Sequence, residues 1–169
     1  MTSVSTLALL LWLPQNAVHE GMHAFAHRWA GDKVTELWPL PGWKSGSFAF
    51  AYMRYETIKG RKTWQQEALC AAAPQLWNTL VLLLLLPVHA LDPDDWMAKA
   101  CTAVALVNFI DGAVNLSTFY RWSSRPRTDG WRTAEALGAP VWTCRAIAAT
   151  WQLGMGAHVG LLLRGLWVA

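Results

Sequence analysis

Four long apolar stretches constrain this 169-residue chain more than any other feature. They run from about Val4 to Ala30, Trp64 to His89, Trp96 to Tyr120 and Val141 to Val168. Roughly 20 apolar residues suffice for a helix to cross a hydrocarbon core, and each stretch reaches that length. The first contains Pro14, which predicts a kink. The second holds the unbroken block Leu80 to Leu86, and the fourth is interrupted by Arg145 and Gln152. Charged residues make up 15% of the chain, against about 25% in an ordinary soluble domain, and mean hydropathy is +0.20. The expected fold is an all-α polytopic membrane protein with about four transmembrane helices, forming one domain over residues 1–169. No Lys or Arg precedes the first stretch and no small-x-small cleavage site follows it, so it reads as a retained helix in the lipid bilayer.

Between the first two stretches the texture changes. Val34 to Trp38 and Ser47 to Tyr55 have strand composition, and Pro39 to Gly46 is turn chemistry. This predicts a small β-hairpin at the membrane face. The 12 Trp include Trp64, Trp96, Trp122, Trp142 and Trp167 at apolar–polar boundaries, which fits an interfacial aromatic belt. The net charge of +3 bears on orientation in a bilayer and gives no sign of a nucleic-acid partner. Lys33, Lys44, Arg54, Lys59, Arg61 and Lys62 lie in one connection, and Arg121, Arg125, Arg127 and Arg132 in another. The connection with Asp92, Asp94 and Asp95 is acidic. The positive-inside rule places the basic connections in the cytoplasm and the acidic one outside. Cys70, Cys101 and Cys144 are scattered and read as small apolar residues.

The chemistry concentrates in His19-Glu20-Gly21-Met22-His23, toward the cytoplasmic end of the first stretch. Two histidines four residues apart on a helix project about 40° from one another, so both can reach one metal ion. Glu20 points elsewhere and is left to move a proton. Two histidines need at least one further protein ligand. Acidic residues in or beside apolar segments are the choices, Asp111 and Asp129, and each precedes a glycine. Depth within the third stretch favours Asp111. His27 shares the face of the pair but lies two turns from His19, and reads as an interfacial histidine. His89 and His158 lie near expected helix ends and need no function. Asn78 and Asn108 read as inter-helix hydrogen-bonders, and Asn115 as either that or a holder of substrate backbone.

These residues resemble the site-2 protease family of intramembrane zinc metalloproteases. The resemblance is carried by His19-Glu20-Gly21-Met22-His23-Ala24, by Ala71-Ala72-Ala73-Pro74 with Asn78, and by Asn115 followed by Asp129-Gly130-Trp131-Arg132, in family order over about residues 7 to 137. Ala73 stands where the family has Gly, and Thr118 where it has Pro. The resemblance implies Zn²⁺ held by His19, His23 and Asp129, with Glu20 as the catalytic base and Asn115 as a substrate-binding residue. It implies hydrolysis of peptide bonds in a transmembrane or membrane-proximal polypeptide, from the cytoplasmic side of a bacterial inner membrane. The departures at Ala73 and Thr118 are the sequence support for a second reading, a non-catalytic zinc-binding membrane protein acting through partners. A third is a small ion or proton transporter using the intramembrane His and Asp, although no inverted repeat is visible.

Overall fold

A computed structural model describes residues 3–44, 47–49, 51–57, 62–92, 95–117 and 129–168. Helix α1 runs from Val4 to Trp29, through Pro14, and opens on Ser3, whose side chain accepts a hydrogen bond from the Thr6 amide. It stops at Ala30, and Gly31, at φ 92°, turns the chain into a strand. Helix α2 spans Trp64–Leu84 and starts with a capping box between Thr63 and Gln66. A 3₁₀ turn over Leu86–Ala90 ends that stretch, so the apolar run expected to reach His89 as one helix is broken at Leu85. Helix α3 spans Trp96–Ser117, α4 Asp129–Leu137 and α5 Val141–Val168. The short α4 is absent from the sequence reading. Its signals are Asp129 in the first turn, where the helix dipole favours an anion, and Gly138 at φ 61° as the stop.

Side-chain contacts set the directions of the helices. Ala8 on α1 packs with Ala103 and Val107 on α3, and His19 meets Asp111 farther along, so α1 and α3 run the same way. Gln15 meets Asn78 and His23 meets Cys70, so α2 runs against α1. Leu116 packs with Cys144 and Ala148, and Ala105 with Val159 and Leu162, so α5 runs against α3. The interior is built largely of Ala, Cys and Val, which lets the helices approach closely, while Leu9, Leu10, Leu84, Leu153 and Leu161 point outward.

Three stretches are long and apolar enough to cross a membrane: Trp64–Ala90, Trp96–Ser117 and Val141–Gly165. That is one fewer than the four expected. Helix α1 has the length, but Gln15, Asn16, His19, Glu20, His23, His27 and Arg28 crowd its second half. Trp64, Trp96 and Trp142 are exposed as a belt requires. Trp122 and the side chain of Trp167 lie outside the described residues, as do Arg121, Arg125 and Arg127.

The hairpin is more divided than expected. Strand β1, Asp32–Trp38, pairs antiparallel with β4, Tyr52–Thr57, with a register irregularity between Val34 and Glu36. Beyond it β2, Gly42–Lys44, pairs with β3, Ser47–Ala49. The expected single strand over 47–55 is therefore two, and part of the expected turn is itself a strand. The physical reason is the Pro39-Leu40-Pro41 segment: proline cannot donate to a ladder, so the pairing breaks there and resumes beyond it.

Candidate metal centre

His19 and His23 lie one turn apart on α1, with ring centroids 5.1 Å apart. Asp129, at the start of α4, brings Oδ2 to 3.1 Å from His19 Nε2 and 3.0 Å from His23 Nε2. One ligand atom from each of the three residues thus falls within 4.8 Å of the other two. Of the two carboxylates between which spacing could not choose, Asp129 faces the pair.

Asp111 has a different position. Its Oδ2 lies 3.0 Å from His19 Nδ1, on the far side of the ring from Asp129. The same oxygen accepts from Asn78 Nδ2 at 2.8 Å and Gln15 Nε2 at 3.2 Å, and Gln15 also donates to Asn78 Oδ1 at 2.9 Å. Asn115 donates to the Asp111 backbone oxygen at 3.1 Å. Gly112, the residue after Asp111, makes room for α5: a Cβ there would stand 2.5 Å from the Trp151 ring. His23 Nδ1 in turn meets the Cys70 carbonyl at 2.8 Å.

These contacts bear on whether the residues suit a metal. Both Nδ1 atoms face acceptors, a carboxylate and a carbonyl, so each neutral ring carries its proton on Nδ1 and its lone pair on Nε2. Two Nε2 lone pairs and a carboxylate oxygen then converge, an arrangement that repels itself until a cation or protons come between. With protons on the Nε2 atoms in place of a cation, hydrogen bonds and charge from His19 and His23 outweigh the upward push of burial and hold the Asp129 carboxyl well below the usual carboxylate range. The donor set of two imidazoles and one carboxylate, with acceptors behind both rings, fits zinc.

Glu20 is half-buried beside this group and feels the charges of His23, His19 and Asp129, with no hydrogen bond or ion pair to any described residue. Asn115 lies in the wall of an adjoining cavity of about 240 Å³, which also reaches His19 and Asp129 and is otherwise largely apolar.

Helix α4 has to be held for Asp129 to reach the histidines. Trp131 and Ala134 bury against Leu116, Cys144 and Ala148. Arg132 donates to the Tyr55 hydroxyl on β4 at 2.9 Å. The Tyr55 ring lies on His27, centroids 3.6 Å apart, with Lys62 Nζ 4.3 Å from its centroid. His27, expected at the membrane interface, is 1% exposed and packed within the protein, with Nδ1 2.7 Å from Asp32 Oδ2. Lys62 forms an ion pair with the same Asp32 oxygen. Burial raises the Asp32 carboxyl, but hydrogen bonds from Lys62 and His27 more than offset this and hold it below its ordinary value.

Sequence reasoning missed Gln15, Asp32, Tyr55, Lys62 and the Cys70 carbonyl. Only Gln15 carried a signal: it is a polar residue in an apolar run, four positions before His19 and on the same helix face. His89 and His158, read from the sequence as needing no function, meet each other at 2.8 Å between the 3₁₀ turn and α5. No protein-family model, curated protein or solved structure matches the chain.

Proposed function

We propose that the protein is an intramembrane zinc metalloprotease resembling the site-2 proteases, cutting a transmembrane or membrane-proximal polypeptide. The observation that carries the reading is the convergence of His19 Nε2, His23 Nε2 and Asp129 Oδ2 within 4.8 Å, with Glu20 beside them. Zinc, when bound, lowers the pKa of the water it carries to about 7 and polarises the scissile carbonyl. Glu20 takes the proton of the attacking water on its carboxylate and delivers it to the amide nitrogen as the peptide bond breaks. Asp111 and the Cys70 carbonyl keep both imidazoles in the tautomer that presents Nε2.

A helical substrate hides its amides in its own hydrogen bonds and has to unwind locally before attack. Strand β4 pairs with β1 along one edge, and its other edge offers an unwound segment a place to add as a strand. In this reading α1 is a fourth crossing, tolerated in spite of its polar residues because Gln15, His19 and His23 face α2, α3 and α4. The basic connections lie in the cytoplasm of a bacterial inner membrane, on the side of the site.

The test is metal content and cleavage together. Detergent-purified protein should hold about one zinc per chain, and Asp129→Ala should lose it. Glu20→Gln should keep the zinc and lose cleavage by at least ~10²-fold. Cleavage surviving in Glu20→Gln would sink the mechanism. A zinc-replete wild type with no peptidase activity would favour the partner-binding reading, which the Ala73 and Thr118 departures support.

A further inference from the structure

A closed polar ring lies where α1, α2 and α3 meet, one turn before His19 on α1. Gln15 on α1 is 8% exposed and Asn78 on α2 is 1% exposed, and Asp111 on α3 stands against both. Gln15 Nε2 donates to Asn78 Oδ1 at 2.9 Å and to Asp111 Oδ2 at 3.2 Å. Asn78 Nδ2 donates to that same carboxylate oxygen at 2.8 Å. Each helix thus gives one side chain to the ring. The His19 ring, through Nδ1 at 3.0 Å, is a further donor to Asp111 Oδ2.

Holding the helices together does not require this ring. Gln15 and Asn78 already satisfy one another across α1 and α2, and an amide pair is an ordinary polar link between apolar helices. A carboxylate among them has to be stripped of water, and a hydroxyl or a third amide would tie in α3 at less cost. The charge therefore has another use, and the group outside the ring that shares Asp111 Oδ2 is the metal ligand His19. Left alone, the carboxylate could turn about its own side-chain bonds. The two amides converge on Oδ2 from different helices and leave it one place, behind the imidazole.

We propose that Gln15 and Asn78 are positioning residues of the metal centre: the two amides hold the Asp111 carboxylate against His19 Nδ1 and so fix the ring orientation in which His19 Nε2 faces the metal. Position passes from amide pair to carboxylate to imidazole, and both amides act through Asp111. The role is distinct from that of Asn115, which meets Asp111 at its backbone oxygen and, at 3.4 Å, at Oδ1. The proposal rests on the zinc reading of the centre and needs no peptidase step.

The test is zinc affinity of the full-length protein in detergent, read by competition with a chelator, beside the visible spectrum of the Co²⁺-loaded form. Gln15→Met and Asn78→Leu keep nearly the same volume and remove one amide each. Each should weaken zinc by about tenfold, the lower end of the range for a partner behind a metal ligand. Each should also shift the Co²⁺ bands, which report the geometry of the ligands and not the stability of the fold. Asp111→Leu should weaken zinc by about 100-fold. Adding either amide substitution to Asp111→Leu should weaken it no further, because nothing is left to position. If removing an amide prevents folding, Gln15→Asn draws the donor back by one methylene and should give a smaller loss that Asp111→Leu also erases. Wild-type affinity and spectrum in the amide variants overturn the proposal. So do losses that multiply with that of Asp111→Leu, since the amides would then act through helix packing alone. A wild type that takes up no zinc overturns the zinc reading and the proposal together. The expected coupling in a protein without peptidase activity upholds the positioning roles and removes the protease reading instead.

Discussion

Two histidine–carboxylate groups, one buried and one partly buried, share helix α1, and among the described residues only one of them contains its own cation. His27 and Asp32 are both 1% exposed at their side chains, and Lys62 supplies an ammonium to the same Asp32 oxygen that faces the ring. One turn earlier, His19, His23 and Asp129 bring two imidazoles and a carboxylate together with no Lys or Arg in contact among the described residues. A buried carboxylate is tolerable when paired and costly when not. The lower group balances its charge with a covalently attached ammonium, and so it is complete as folded and structural. The upper group has no such ammonium among the described residues, and in the proposed reading a cation from solution completes it, which would distinguish a binding centre from a clamp built of the same residue types.

The largest effect that could break this comparison is the response to metal. Zinc at about 1,000 times its dissociation constant should stabilise the metal-stripped protein by about 4 kcal/mol. Asp129→Ala should abolish that response, while Lys62→Met should leave it intact in the folded fraction. Thermal scans with and without added zinc read both. A zinc response that disappears in Lys62→Met but persists in Asp129→Ala would reverse the roles assigned to the two groups.

Next comes the clamp itself. Lys62→Met leaves Asp32 buried beside His27 without its ammonium and should cost about 3 kcal/mol, near the lower end for breaking a buried pair. Acid should act in the same direction. The folded-state Asp32 carboxyl titrates below its ordinary value, so its contribution is present above the unfolded pKa of about 4 and fades as pH falls through the lower folded value. Stability followed from pH 6 to pH 3 should therefore fall less steeply in Asp32→Asn than in the wild type.

The two groups also differ in how legible they were. The His19–His23 pair follows from helical periodicity, which is local, and the resemblance pointed to Asp129. The clamp joins residues 5 and 35 positions apart, His27 with Asp32 and with Lys62, and no local pattern foretells their meeting. His27 was expected at the interface because nothing near it in sequence suggested burial. The choice between Asp111 and Asp129 was not legible from spacing, since it depends on how α4 docks through Trp131 and Arg132. The three most apolar helices were legible from composition. The shortfall of α1 was visible in its polar residues but was outweighed by its length.

Asp111 sharpens the comparison, because in the upper group it stands behind a ring and not in front of it. Asp111→Asn keeps the size and removes the charge that fixes the His19 tautomer. It should weaken zinc by 10- to 100-fold, the range for removing a partner behind a metal ligand, without eliminating it. A competition titration against a chelator of known affinity measures this. Complete loss of zinc in Asp111→Asn, with zinc retained in Asp129→Ala, would exchange the two carboxylates and make Asp111 the ligand.

The smallest effect concerns the link between the groups. Tyr55 lies on His27 and accepts from Arg132, so the clamp and the helix that carries Asp129 are joined through one side chain. Tyr55→Phe keeps the ring and removes the acceptor, which should cost about 1 kcal/mol. Because Trp131 and Ala134 still anchor α4 by burial, zinc content should stay near the wild-type value while the thermal midpoint falls slightly. If Tyr55→Phe instead lost zinc as Asp129→Ala does, the clamp would be positioning the metal centre, and the division between a structural group and a binding group on α1 would no longer hold.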